Sequence, residues 1–284
     1  MFTLQILGLG ELRSSIFSLL AVSNSATLRC FPSSVSLAVS YSDESHSFLV
    51  SFQMFDPFFT IFSRGDGDYN FDIDLQELSR LILAEEDLFL TILVPSAFSS
   101  ASLISSTRDG KFRSLASLWT MLPQNRGVSK FDLKLFVAID AVKFREIVAR
   151  LSDYNGPIFA TASTSQVKFY GRTAEGEIIG ATLLTAERRE CLAGGFNDKD
   201  YEIKFSFALK PKDFFGRSME LTKLVWFFES TRWNTTVICF AREWTNIVAS
   251  YPRDICITSF LNSFSLHKIL RYKRVPNLDR YVYI

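Results

Sequence analysis

The sequence predicts an α+β protein built from two similar domains, each with two helices packed on antiparallel sheets. The chain contains 28 Phe among 284 residues, and together with many Val, Ile and Thr this composition favours half-buried strands. A pattern of strand, helix, several strands, strand, helix and several strands also occurs twice along the chain. We expect each occurrence to form one domain, because a chain of this length holds one large domain or two small ones.

The first helix of the repeat is predicted by its apolar spacing. Leu9, Leu12, Ile16 and Leu19 follow the i, i+3, i+7, i+10 pattern of an amphipathic helix. A matching helix occurs in the second half of the chain at a constant separation, and Asp140 is predicted to cap its N-terminus. In the strand before the helix, Leu4–Ile6 corresponds to Phe136–Ala138. In the helix, Leu12, Arg13, Ile16 and Leu19 correspond to Phe144, Arg145, Val148 and Leu151. In a later strand, Val35–Leu37 corresponds to Val167–Phe169.

A second pair of segments repeats at a slightly longer separation. Phe71–Leu75 precedes a helical pattern at Leu78, Leu81 and Ile82. Phe205–Leu209 likewise precedes a helix that is expected to begin near Pro211 and to end near Arg217, since Pro suits the first turn of a helix. One small insertion in the second half explains why this separation exceeds that of the first pair.

The two domains are predicted to be joined by a connector. The segment 118–130 reads LWTMLPQNRGVSK, and its Pro123, Asn125 and Gly127 are typical of a turn-rich linker. The predicted organisation is an N-terminal domain at 1–117, a connector at 118–134, a C-terminal domain at 135–253 and an extra C-terminal tail at 254–284.

Composition excludes several classes of protein. The net charge is +1, so any contact with nucleic acid must use a local basic surface rather than the total charge. No run of 18 apolar residues occurs, so no membrane span is predicted. The four cysteines form no CxxC pair, and the two histidines, His46 and His267, have no ligand partner at a suitable spacing. We therefore predict no metal site, no cofactor and no catalytic residues.

One segment imitates a calcium-binding loop. In Asp66–Glu77, oxygen-bearing side chains fall at positions 1, 3, 5, 9 and 12 of the twelve. Position 6, where the loop needs Gly for a sharp turn, is Phe71. A calcium-binding or purely structural β-rich protein is therefore one alternative of a different class, and an enzyme with an unrecognised site is another.

Four stretches of the sequence resemble the sliding clamps of eukaryotes and archaea, the proliferating cell nuclear antigen (PCNA) family. The resemblance covers about residues 2–253 and implies the DNA-clamp fold, in which three subunits close into a ring with helices around the hole and sheets outside. The stretches are VKFREIVARLSDYNGPIFATASTSQVKFYG (142–171), FSFALKPKDFFGRS (205–218), and, more weakly, FDIDLQELSRLIL (71–83) and SVSLAVSYSDESHSFLVSF (34–52).

The resemblance implies that basic residues on the helices face duplex DNA. Such residues contact phosphates without reading the base sequence. By their position in the matching motifs, the implied DNA-binding residues are Arg13, Arg80, Lys143, Arg145, Arg150, Lys210, Lys212 and Arg217.

The resemblance also implies protein partners, namely DNA polymerase, a clamp loader and repair proteins, at the nucleus or at a site of viral replication. They would dock in a pocket involving Leu49, Val128, Tyr251 and Pro252. Subunits would meet through two edge strands, at about 111–119 and 176–183.

The sequence departs from the family pattern in several places. Thr164 stands where the family usually has Lys, and Ser47 and Ser250 stand at pocket positions that are usually more apolar. The chain is not strongly acidic, and its tail carries several basic residues. Two hypotheses of the same class follow: a homotrimeric replication clamp, or a subunit of a heterotrimeric checkpoint-type or viral clamp.

Overall fold

The structure of the chain is a computed structural model. It describes residues 2–31, 34–43, 47–63, 69–82, 87–94, 100–107, 112–118, 135–151, 153–154, 156–173, 175–195, 202–230 and 235–252. Most of the predicted connector and the whole predicted tail lie outside these ranges.

Four helices occur within these ranges, and none of them is long and apolar enough to cross a membrane. They are α1 (Leu9–Leu20), α2 (Leu75–Leu81), α3 (Ala141–Leu151) and α4 (Lys212–Glu220).

The strands divide equally between the two halves of the chain. Those of the first half are β1 (Phe2–Ile6), β2 (Ser25–Phe31), β3 (Ser34–Ser42), β4 (Ser47–Phe55), β5 (Phe59–Ser63), β6 (Tyr69–Asp74), β7 (Asp87–Val94), β8 (Ser100–Thr107) and β9 (Phe112–Leu118). Those of the second half are β10 (Phe136–Asp140), β11 (Ile158–Ala162), β12 (Gln166–Arg172), β13 (Ile178–Thr185), β14 (Cys191–Gly194), β15 (Ile203–Phe207), β16 (Leu224–Ser230), β17 (Thr235–Ala241) and β18 (Thr245–Pro252).

The two halves have the same topology, which confirms the predicted repeat. Sheets run in the orders β5-β1-β7-β8-β9, β14-β10-β16-β17-β18-β4-β3-β2-β6 and β13-β12-β11-β15. Each pairing within the first half has its counterpart in the second, for example β5-β1-β7 with β14-β10-β16 and β4-β3-β2-β6 with β13-β12-β11-β15. One pairing, β18 with β4, joins the halves into the nine-stranded sheet.

Strand registers confirm both separations predicted for the repeat. The equivalent rows are Leu37–Leu28–Phe71 in the first half and Phe169–Ala160–Phe205 in the second. The pairing register therefore matches across three strands of each half.

The predicted alignment of the first strands was wrong by one residue. Leu4 was paired with Phe136, but Leu4 faces the main core, and so does Val137 in the second half, whereas Phe136 packs on the opposite face of the sheet. Leu7 and Gly8 separate β1 from α1, whereas β10 runs directly into α3 at Asp140. The shorter junction shifts the strand by one residue, and a shift of one residue turns every side chain to the other face.

The predicted cap of α3 is confirmed. The Asp140 carboxylate accepts hydrogen bonds from the backbone N–H groups of Val142 and Lys143, at 2.9 and 3.3 Å. Asp74 caps α2 in the same way, accepting from the N–H groups of Gln76 and Glu77 at 2.7 and 2.9 Å. Both carboxylates satisfy N–H groups that have no partner within the helix.

From Tyr69 onward, the segment of the alternative calcium loop is a strand followed by a helix, whereas Asp66 and Asp68 lie outside the described residues. Tyr69–Asp74 forms β6 and pairs with β2 along its length. Asp74 is occupied as the cap of α2, and Asp72 accepts a hydrogen bond from the Thr27 hydroxyl at 3.0 Å. In an extended strand, Asn70 and Asp74 are about 13 Å apart, which is too far for both side chains to bind one cation. Within the described ranges, no group of three or more His, Cys, Asp and Glu side chains could hold a metal ion.

The helices form one layer against the sheets. Neighbouring helices contact each other in the order α2, α1, α4, α3, so the layer continues from one half to the other. A single apolar core lies beneath it. Phe144 on α3 is fully buried and packs against the rings of Phe169, Phe207, Phe215 and Phe227, at centroid distances of 5.3–6.4 Å.

Phe144→Ala should lower the free energy of unfolding by about 3–5 kcal/mol, because it leaves a cavity where a buried ring made contact on several sides. Urea unfolding measures the change. Val142→Ala is the matched control on the same helix: Val142 is 59% exposed, so its loss should stay within about 0.5 kcal/mol. Equal effects of the two substitutions would contradict the packing described for α3.

Candidate nucleic-acid interface

The helix layer carries seven of the eight predicted DNA-binding residues, and the eighth, Lys210, lies two residues before α4. Its side away from the sheets carries Arg13 on α1, Arg80 on α2, and pairs or triples of cations on α3 and α4. Five are exposed and three are half-buried. The exposed ones are Arg80, Arg145, Arg150, Lys212 and Arg217, and the half-buried ones are Arg13, Lys143 and Lys210.

The layer is only weakly basic, and its excess charge belongs to one helix. The four described helices together carry seven basic and five acidic side chains. In α3 alone, three basic residues stand against one acidic residue. A polyanion that lies along the layer is therefore attracted chiefly to α3.

Three of the predicted cations have acidic neighbours. Arg80 lies 2.6 Å from the Glu77 carboxylate, Lys143 lies 3.2 Å from that of Glu146, and Lys212 lies 3.6 Å from that of Asp153. The groups are largely exposed, and exposed ion pairs contribute about 0–1 kcal/mol. Phosphates can replace such carboxylates at little cost, but the carboxylates remain close and weaken the local positive potential.

Two cations contact Phe17 of α1. The Arg13 guanidinium lies over the Phe17 ring, 5.5 Å from its centroid. Arg217 of α4 donates a hydrogen bond from Nη1 to the Phe17 carbonyl oxygen at 3.1 Å. Because α1 and α4 belong to different halves, Arg217 helps to join the halves.

Arg145 and Arg150 on α3 are the most available cations of the predicted set. Both are exposed, and neither has an ion-pair partner among the described residues. Arg150 donates a long hydrogen bond of 3.4 Å to the Thr182 hydroxyl on β13. Arg145 borders an open cavity of about 410 Å³ beside Lys223, whose contribution the sequence did not indicate. Asp140 and Glu220 also line this cavity, so its charges are balanced.

A second group of contacts between the halves was not foreseen. Glu11 on α1 accepts a hydrogen bond from the Thr245 hydroxyl, and its carboxylate lies 3.3 Å from Arg242. Thr245 and Arg242 lie at the turn between β17 and β18. No sequence signal identifies this contact, because its partners lie near opposite ends of the described chain.

The predicted partner pocket is only partly assembled. Leu49 on β4 lies opposite Ser250 on β18, and Pro252 is the last residue of β18. Tyr251 is turned to the other face, where its ring stacks on Phe48 at 4.7 Å within the core beneath the helices. Tyr251 therefore does not share a surface with Leu49. The fourth residue, Val128, lies outside the described ranges.

Where subunit contacts were predicted, two strands have a neighbour on only one side among the described strands. β9 ends the five-stranded sheet, and β13 ends the four-stranded sheet. β13 has no charged residue, and Ile178, Ile179 and Leu183 are 49, 36 and 51% exposed. An exposed apolar edge of this kind is prone to pair with another strand.

A duplicated domain with one helix layer and a sheet that bridges its halves defines the clamp fold. The crystal structure of proliferating cellular nuclear antigen from Entamoeba histolytica has this fold: it aligns with a TM-score of 0.64 over 88% of this chain and 98% of that one. The two sequences are 16% identical, so the likeness establishes the fold alone. No family model and no curated protein sequence matches the chain.

Tyr251→Phe should stabilise the protein by about 1 kcal/mol, because it removes a buried hydroxyl that has no hydrogen-bond partner among the described residues. Burial also raises the pKa of this phenol well above its usual value. The measurement is the urea midpoint at an unchanged slope. Tyr41→Phe is the control, since the Tyr41 hydroxyl donates to Asp43 at 2.9 Å and its loss should not stabilise. If Tyr251→Phe has no effect, the hydroxyl reaches solvent and the residue belongs to a surface pocket after all.

Proposed function

We propose that the chain is one subunit of a ring-shaped sliding clamp. The ring encircles duplex DNA without sequence preference, tethers DNA polymerase, a clamp loader and repair proteins, and performs no catalysis of its own. The observation that carries this proposal is a match between two kinds of strand. The strands that join the two halves of the chain are the counterparts of β9 and β13, which end two of the described sheets.

The two halves of the chain meet by pairing β18 of one with β4 of the other. By the internal repeat, β9 is the counterpart of β18 and β13 is the counterpart of β4. The same junction can therefore form between β9 of one subunit and β13 of the next. Three subunits with two domains each close such a series, and closure pairs both the β9 edge and the β13 edge of every subunit.

Ring closure in this way places the helix layer on the inside. The cations on the layer then face the phosphates of an enclosed duplex, with Arg145 and Arg150 of α3 contributing most and Lys143 supporting them. Since the ring itself prevents dissociation, weak and sequence-independent contacts are sufficient.

The outer side of the junction between β4 and β18 is the proposed docking surface for partner proteins. Leu49 and Pro252 belong to it, and Val128 would join them if the segment 118–134 acts as a connector between domains 1–117 and 135–253. The tail at 254–284 is proposed to be an addition to the clamp domains, and the nucleus or a viral replication site is the proposed location.

The repeat also gives the register of the subunit contact. Phe52 and Thr182 are equivalent because they lie opposite the equivalent residues Leu37 and Phe169. Leu103 and Ile238 are equivalent because the pairings run Leu4–Ile92–Leu103 in the first half and Val137–Phe227–Ile238 in the second. Leu115 and Ala249 lie opposite these two residues and are therefore also equivalent. Inside the chain, Ile247 lies opposite Phe52. Between subunits, the equivalent residues Arg113 and Thr182 would lie opposite each other, and Ser114 and Ala181 would form the adjacent pair.

A chain carrying Ser114→Cys and Ala181→Cys should form disulfides between subunits under mild oxidation, because directly opposite residues are within bridging distance. Denaturing electrophoresis should show a covalent trimer. Pairing Ser114→Cys with Thr185→Cys is the control, since Thr185 lies about 13 Å further along the strand. Burial raises the pKa of Cys191 to about 11 and those of Cys30 and Cys239 further, so these thiols will not compete, and Cys256 can be replaced by Ser.

The crosslinking result also separates the two kinds of ring. A trimer formed by the chain alone supports a homotrimeric clamp. Crosslinking that requires added partner subunits, each with one of the two cysteines, supports a heterotrimer. Crosslinking of the control pair instead of the predicted pair would contradict the proposed junction.

Replacing Lys143, Arg145 and Arg150 on α3 with Ala should weaken retention of the ring on circular duplex DNA. Each phosphate contact contributes about 0.9 to the slope of log affinity against log salt, so the slope should fall by up to about 2.7 for every subunit whose α3 contacts the duplex. The matched control replaces Arg13, Arg80 and Lys212, which are engaged by Phe17, Glu77 and Asp153, and should change the slope less. Rings should slide from linear DNA and persist on circles. Equal retention on both forms, or equal slopes for the two triple variants, would contradict a channel dominated by α3.

A further inference from the structure

The four-stranded sheet has an outer face that the clamp function does not use. Its other face packs on the core below α3, with Ile158, Val167 and Phe205 buried there. Because side chains alternate along a strand, the outer face carries a different set of residues. This set, called the outer face below, is Phe159 and Thr161 on β11, Lys168, Tyr170 and Arg172 on β12, and Lys204 and Ser206 on β15.

Two aromatic rings lie at the centre of the outer face. Phe159 and Tyr170 are directly opposite each other on the two central strands of the sheet. Their ring centroids are 5.8 Å apart and their planes differ by 23°, so the rings are stacked. Phe159 is half-buried, and Tyr170 is 8% exposed.

Two cations rest on these rings. The Arg172 guanidinium lies 5.5 Å from the Tyr170 centroid and 5.8 Å from the Phe159 centroid, and the Lys168 ammonium lies 5.8 Å from Tyr170. Such contacts hold a cation over an aromatic surface without neutralising it. Neither Lys168 nor Arg172 has a carboxylate partner in the part of the chain that the structure describes. An anionic ligand would therefore not have to displace an acidic side chain.

We infer that the outer face binds single-stranded nucleic acid. The two cations offer contacts for phosphates, and the exposed guanidinium plane of Arg172, supported by Phe159, offers a surface on which a base can stack. A duplex has its bases stacked inside, so it could use only the charges. The combination of planar groups and cations on central strands of an open sheet favours a single strand over an acidic peptide, which needs charge alone. This inference does not depend on ring formation, because all of its residues belong to one chain.

The test measures fluorescence anisotropy of a labelled oligothymidylate of about 12 nucleotides, a length within the usual site size of such surfaces, over a series of salt concentrations. Lys168→Ala should lower the salt slope by about 0.7, the value of one phosphate contact on a single strand. Arg172→Lys should keep the slope and lower the affinity at least about fivefold, because it keeps the charge and loses the planar group. Phe159→Leu should act like Arg172→Lys, and both conservative variants should melt near the wild-type temperature.

A comparison variant, with Arg145→Ala and Arg150→Ala, removes two cations of the helix layer on the other side of the sheet and should lower oligothymidylate affinity less than Arg172→Lys does. A larger loss of affinity in that variant than in Arg172→Lys would overturn the inference, since the strand would then lie on the helix layer. Wild-type affinity in both Arg172→Lys and Phe159→Leu would overturn it as well. The inference would also be overturned if an acidic peptide of matched charge competed as effectively as unlabelled oligothymidylate, since the face would then bind anions in general. Failure of the chain to form rings would leave these measurements unaffected.

Discussion

The pairing of β18 with β4 is the constraint on which the rest of the structure depends. It joins two halves that each have their own sheets and makes one nine-stranded sheet from them. With the sheet continuous, α1 and α4 become neighbours, and the helices of both halves form a single layer. The same pairing fixes which strands are left at the ends. In the proposed ring, the same pairing is the pattern for the contact between one chain and the next.

The halves could be predicted from sequence because burial follows simple periods. Apolar residues three or four apart define α1 and α3, and alternating ones define β3 and β12, so the repeat remains visible without any identical motif. The alignment failed at Leu4 and Phe136, because the junction between the strand and the following helix is one residue shorter in the second half. Short apolar strands look alike in either register, and only the side that faces the helices decides between them.

The candidate site was less predictable than the fold. A sequence shows that Arg80 or Lys212 is basic, but not that an acid from its own or a neighbouring segment lies beside it. It also gave no reason to separate Tyr251 from Leu49, because the face of a residue near a strand end depends on pairing across the chain. The contact of Glu11 with Thr245 and Arg242 forms only when folding brings the start of α1 next to the turn between β17 and β18. Charge identity is local information, whereas charge availability is a property of the folded surface.

The contacts of Glu11 and Arg217 have a mechanical consequence. Inside the chain, two sets of side-chain contacts reinforce the strand pairing. Thr245 and Arg242 contact the Glu11 carboxylate, and Arg217 donates a hydrogen bond to the Phe17 carbonyl oxygen. At the equivalent place between subunits, the helical position of Glu11 is occupied by Lys143, which already pairs with Glu146 of its own helix. In the ring proposed above, the Glu11 contacts would therefore not recur at the subunit junctions, and the ring would open between chains rather than within one.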